Sequence, residues 1–220
     1  MSDDPIPDAA RHSNDFARER DARIYWLLDT HPVTAAMLVG LGWFRTKNKA
    51  LKRLRRLVAR KRIRIVGSVC RKAGRPELVY CRWRPKADQL LHEIGLTELC
   101  FRIDAGRIVR GPHMTDDRVL PDAEVWIDGQ AYYLEFDRGT MSHAQIERRF
   151  RKYEGCPHFV LWVCCTEGRL DALRKRAERI RGTALFTTYA EAVADPHDAI
   201  WRDFAGERVA LPREGGGKAG

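Results

Sequence analysis

At 220 residues the chain is long enough for one large or two small domains around a real core. Its formal charge of +10 is unevenly distributed: residues 45–86 carry seventeen Lys or Arg against one acid, Glu77, which leaves −6 on the rest. A basic nucleic-acid-binding module joined to a mildly acidic unit fits that asymmetry, whereas a secreted or membrane-spanning protein does not fit a sequence without a signal peptide or a span-length apolar run; the cytoplasm is the expected compartment.

Residues 1–14 are polar and contain proline, so a disordered tail is expected there. Asp15 is suited to cap a helix over 16–28 with Ile24, Leu27 and Leu28 on its buried face. Thr30 and Pro32 open a second, short helix through Leu38, which Gly40 and Gly42 end. Thr46 caps a third over 47–60, whose buried stripe is Leu51, Leu54, Leu57 and Val58. Its outer face is cationic. Arg45, Lys47, Lys49, Lys52, Arg53, Arg55 and Arg56 cluster there with Asn48, near the end expected to enter a major groove. Two strands, 62–69 and 77–83, bracket a basic loop in which Arg71, Lys72 and Arg75 are placed to meet phosphates. Helix, helix, basic helix and hairpin is the order of a winged helix-turn-helix, assigned to residues 15–86. A three-helix unit with a merely solvated cationic face is the plainer alternative.

Residues 85–87 read as a hinge to a second domain over 87–205, followed by a disordered tail over 206–220. Helical pieces at 88–93 and 96–103, interrupted at Gly95, open this domain. The stretch after them is the most informative of the chain. Asp128-Gly129 is a two-residue turn signal with strand alternation on both flanks, so Val125 should face Tyr132, Ala123 face Leu134, and Asp122 face Glu135. One face is then apolar, and the other carries Asp122, Glu124, Trp126, Tyr133, Glu135 and Asp137. Opposed side chains have Cβ atoms roughly 5 Å apart, where like charges repel, and a divalent cation resolves the conflict. Hard oxygen donors without histidine or thiol suit Mg²⁺ or Mn²⁺ rather than zinc. The plainer alternative is the wet side of a sheet edge.

Ser142-x-x-Gln145 is a capping box that starts a helix through Tyr153. Ile146, Phe150 and Tyr153 recur at helical spacing and face inward, with Gln145, Arg149 and Lys152 on the adjoining stripe. A strand over 159–165, a charged helix over 170–181, a strand over 184–188 and a final helix over 190–204 complete the domain. The six cysteines form no CxxC pair and no zinc pattern with the seven histidines. His143 and His158 read as turn or surface residues, and Gly111-Pro112-His113-Met114 carries no mechanistic signal.

Pro121-Asp122 followed by Glu135-Phe136-Asp137 resembles the PD-(D/E)xK nuclease signature, with Asp137 where that signature has lysine. Within that superfamily, Glu135-Phe136-Asp137-Arg138-Gly139-Thr140 and the basic helix ending at Tyr153 are similar to the replication-relaxation family of plasmids and other mobile elements. The resemblance implies an α+β chain, a winged helix-turn-helix followed by an α/β restriction-endonuclease-like domain. It implies double-stranded DNA as partner, together with a plasmid relaxase or replication protein, and DNA handling more firmly than catalysis. By the same resemblance Asp122 and Glu135 hold Mg²⁺ or Mn²⁺, Arg149 or Lys152 stands in for the missing lysine at the phosphate, and Asp137 or Glu135 assists water activation. Arg138 is an alternative cation and Glu98 a further carboxylate. In the plainer reading Gln145 only completes its helix cap and Arg149 only pairs with Asp137. Two functions from different classes follow, a metal-dependent DNA nuclease or nickase and a non-catalytic accessory factor that grips DNA or a partner. A winged-helix transcriptional regulator is a third.

Overall fold

A computed structural model describes residues 8–70, 75–104, 107–110 and 119–213, with side chains from Arg18 onward. Arg71, Lys72 and the run Gly111 to Met114 lie outside the described residues, as do 1–7 and 214–220. The chain divides into two compact units, Met1–Ile94 and Gly95–Gly220. The division falls inside a helix, and residues 85–87, expected as the hinge, precede it.

In the first unit, helix α1 (Asp8–Thr30) is followed by strand β1 (Val33–Thr34), helices α2 (Ala35–Gly40) and α3 (Lys47–Ala59), and strands β2 (Arg64–Val69) and β3 (Glu77–Cys81). The strands form an antiparallel sheet in the order β1-β3-β2. Ile24, Leu27 and Leu28 are buried as their spacing predicts. The first helix, however, begins at Asp8, so part of the expected tail is helical. The second helix starts later than expected because Val33 and Thr34 pair with Tyr80 and Val79 of β3 and are held extended. Thr34 then caps α2, its hydroxyl accepting the Met37 N–H at 3.3 Å. Thr46 caps α3 as expected, accepting the Lys49 N–H at 3.4 Å. The stripe that α3 buries is Ala50, Leu54 and Leu57. Leu51 and Val58 are only half-buried, at the borders of the stripe.

Helix α4 (Leu90–Ile103), entered through a 3-10 turn at Ala87–Gln89, crosses the division between the units. The second unit continues with β4 (Arg107–Val109), β5 (Ala123–Ile127), β6 (Gln130–Asp137), α5 (His143–Tyr153), β7 (Phe159–Cys164), α6 (Glu167–Arg176), β8 (Ala184–Thr188), α7 (Tyr189–Ala194), β9 (Trp201–Arg202) and β10 (Arg208–Val209). These strands form one sheet in the order β10-β9-β8-β7-β6-β5-β4, parallel from β6 to β8 and antiparallel outside. The β5–β6 hairpin has the expected register, Ala123 with Leu134 and Val125 with Tyr132. Asp128 and Gly129 both have positive φ, 49° and 78°, as a tight two-residue hairpin turn requires.

The carboxylate face of that hairpin is not a wet edge. Strand β6 lies inside the sheet between β5 and β7, and on this face Tyr133 of β6 and Trp162 and Cys164 of β7 pack under Ile146, Phe150 and Tyr153 of α5 and Leu170 and Leu173 of α6. Leu134, Phe136, Leu161 and Val163 form the other face, with Leu96, Leu99 and Ile103 of α4, Ala192 of α7 and Trp201 of β9. Glu124, Glu135 and Asp137 are therefore at most 1% exposed.

Gly95 does not break α4. It clears space for the Phe136 ring, because a Cβ at this position would lie 2.5 Å from Cε1. Replacing Gly95 with alanine is expected to destabilise the second unit by about 1–3 kcal/mol through overpacking, despite alanine's better helix propensity. Urea unfolding checks this, and a variant as stable as the wild type refutes it.

The expected final helix ends after six residues. Asp195 precedes Pro196 and is extended, with φ −153° and ψ 102°, as the proline ring demands. The chain returns to the sheet as β9 and β10, and Leu211 is buried, so the tail expected from 206 is ordered through at least Arg213.

Candidate functional site

Glu135 projects from the middle of β6 beneath α5. Asp122 lies one step beyond the β5 ladder, and its side chain makes the crossing that the backbone does not, Oδ2 accepting the Phe136 N–H at 2.8 Å. Arg149 and Tyr153, one helical turn apart on α5, reach down to the pair. The Arg149 guanidinium lies 2.5 Å from Glu135 Oε2 and 3.5 Å from Asp122 Oδ1, and the Tyr153 hydroxyl donates to Glu135 Oε1. Burial first, and the Asp122 charge second, push the Glu135 carboxyl well above the usual carboxylate range against the pull of Arg149 and Tyr153. Burial and then Glu135 raise the Tyr153 phenol as well. For Arg149 burial opposes the charge, but Glu135 and Asp122 outweigh it and hold the guanidinium above its ordinary value.

Asp137 does not pair with Arg149. Its Oδ2 accepts Arg169 Nε at 2.6 Å and its Oδ1 the Gly139 N–H at 2.8 Å, while Arg169 also donates to the Met141 carbonyl at 2.7 Å. Arg169 has no local signal in the sequence, and only the packing of α6 brings it to β6. Arg110, buried and donating to the Asp122 carbonyl at 3.4 Å, has no such signal either. Tyr153 is legible in the sequence as an inward residue, although its hydroxyl bond is not.

The other candidates fall outside the cluster. Lys152 is exposed on α5 and Arg138 half-exposed after β6. Gln145 completes its capping box, accepting the Ser142 N–H at 2.7 Å. Glu98 sits on α4, across the sheet, where the Tyr189 hydroxyl donates to it at 2.7 Å. His158 stacks edge-on against Tyr133 with ring centroids 5.1 Å apart.

Carboxylate oxygens are the right donors for Mg²⁺ or Mn²⁺, but this arrangement does not fit such an ion. One guanidinium already bridges both acids, and a phenol and an amide N–H take further oxygens. Among the described residues, no group of three or more His, Cys, Asp or Glu is disposed to hold a metal.

On the first unit, Lys47, Asn48, Lys49, Lys52, Arg55 and Arg56 are exposed along α3, with Arg45 before it and Arg75 before β3. Asn48, Lys52, Arg55 and Arg56 border one surface concavity. Two expected contacts are already engaged by acids. Arg53 is held by Asp21 of α1, with Nε to Oδ1 at 2.8 Å, and burial and the neighbouring Arg20 pull its guanidinium below the ordinary value. Lys47 pairs with Glu77 of β3.

The class defined by these features is a mixed α+β chain of two units, one with an exposed cationic helix and one with an arginine-bridged carboxylate pair inside a covered sheet. A family model described as replication-relaxation matches residues 28–158. The match covers more than half of the chain and includes α3, Asp122, Glu135, Arg149 and Tyr153, and the chain belongs to the replication-relaxation family. No curated protein and no solved structure matches it. Among the described residues, no helix is long and apolar enough to cross a membrane.

Proposed function

We propose that this chain is a cytoplasmic DNA-binding factor in the replication or mobilisation of a plasmid or other mobile element. In this reading the first unit is a winged helix-turn-helix, and the second is a restriction-endonuclease-like domain that grips double-stranded DNA, or a relaxase or replication protein, without cutting. The exposed cationic face of α3 carries the proposal, because lysines and arginines on one accessible helix are what phosphates bind. Family membership supports the biological setting. The absence of cleavage is supported by Asp137 at the position of the usual lysine and by Arg149 on the two acids.

If about six phosphates are neutralised, the logarithm of the binding constant should fall with the logarithm of salt with a slope of about −5. Replacing Lys49, Lys52 and Arg56 together with alanine should flatten that slope by about 3 and weaken binding; unchanged binding removes the assignment.

Metal-dependent nicking is the second reading, favoured by the convergence of Asp122 and Glu135 on one cation. Supercoiled plasmid incubated with Mg²⁺ or Mn²⁺ separates the two. The expected result is no nicking above that of Glu135→Ala, and nicking lost in that variant would establish the nuclease instead.

A further inference from the structure

The Asp122–Glu135 pair already holds a cation, and that cation is part of the protein. We propose that Arg149 is an internal competitor for a small divalent ion: its ion pairs and the binding of Mg²⁺ or Mn²⁺ by Asp122 and Glu135 exclude one another. This goes beyond the DNA-binding reading and does not depend on it.

The geometry is one of shared oxygens. The guanidinium approaches Glu135 Oε2 at 2.5 Å and Asp122 Oδ1 at 3.5 Å. A Mg²⁺ ion sits about 2.1 Å from each oxygen it binds, so an ion bridging these carboxylates must enter the volume that the guanidinium fills. Like charges at such separations also repel strongly where water is scarce.

The members of the cluster differ in how firmly they are held. Asp122 is fixed by the Phe136 N–H and Glu135 by the Tyr153 hydroxyl, and the Glu135 side chain is 1% exposed. Arg149 is 28% exposed. The acids form the fixed framework, and the arginine is the most exposed member, against 12% for the Asp122 side chain. Removing the guanidinium leaves two neighbouring carboxylates with less compensation, which costs stability and creates the vacancy that a hard divalent ion fills.

Mn²⁺ titrations of the full chain, followed by the loss of free-ion paramagnetic resonance signal, test the competition in wild type, Arg149→Ala, and Arg149→Ala combined with Glu135→Gln. Arg149→Ala should bind one ion at least tenfold more tightly than wild type, and the added Glu135→Gln should abolish the gain. Equal or weaker binding by Arg149→Ala overturns the proposal, as does a gain that survives Glu135→Gln. If Arg149→Ala has no cooperative thermal transition without metal, Mn²⁺ must restore one, and failure to do so overturns the proposal equally. A chain that bound no DNA would leave all these outcomes unchanged.

Discussion

Replacing Arg169 with alanine is expected to destabilise the second unit by about 3–5 kcal/mol, the cost of leaving a buried charge without its partner. Asp137 is 1% exposed, and Arg169 supplies the donor 2.6 Å from its Oδ2. The same guanidinium ties α6 to the turn after β6 through the Met141 carbonyl at 2.7 Å, so the substitution also removes a tie between that helix and the turn. Adding Asp137→Asn should recover a large part of the loss, because an amide costs far less to bury than an unpaired carboxylate. Urea unfolding, fitted with a separate transition for each unit, measures both. A loss below about 1 kcal/mol would place this pair with ordinary surface ion pairs and refute the reading.

Glu135 should impose a pH dependence opposite in sign to that of most carboxylates. Its carboxyl is raised by burial and by Asp122 above the ordinary 4.5, so between the unfolded and folded values the folded chain binds the extra proton. The stability it contributes is fully present below about 4.5 and is lost as pH rises toward the folded value. Each unit of elevation corresponds to about 1.4 kcal/mol. Glu191 works the other way: burial is outweighed there by Arg202 and Thr188, and its carboxyl is lowered, so its contribution is lost in acid. The informative quantity is therefore the difference between wild type and Glu135→Gln. That difference should turn against the wild type as pH rises from about 4.5 to 7. Tyr153→Phe should sharpen the trend, because the lost hydroxyl bond favours the charged carboxylate. Wild-type stability that rises relative to Glu135→Gln over this range would contradict the cause assigned.

Features governed by neighbours along the chain are legible in the amino-acid sequence itself. Asp128-Gly129 determines its hairpin because both residues tolerate positive φ, and the alternation on either side then sets the cross-strand pairs from Ile127 with Gln130 to Ala123 with Leu134. Thr46 and the Ser142–Gln145 box determine where α3 and α5 begin, since each satisfies an N–H that the helix leaves unpaired. The early stop of α7 is also present in the sequence, as Asp195-Pro196. The alanines and valine before it, Ala190, Ala192, Val193 and Ala194, favour a continuing helix and conceal a signal that backbone sterics enforce.

The tertiary structure alone decides which charges are neutralised, and by what. Alternation assigns Glu135 and Asp137 to one face but does not say whether that face meets water. The answer depends on α5 and α6 packing over β6 and β7. Asp137 finds Arg169 and Arg53 finds Asp21, each across 32 positions, at spacings set by the path of the chain through the fold. The same packing places Arg149 on both members of the carboxylate pair. A buried carboxylate requires a cation or a proton, and many arginines in this sequence could in principle supply the cation. Local propensity acts over a helical turn or a strand pair, whereas the choice among those arginines is made by distances of a few ångströms between elements that only the assembled sheet brings together.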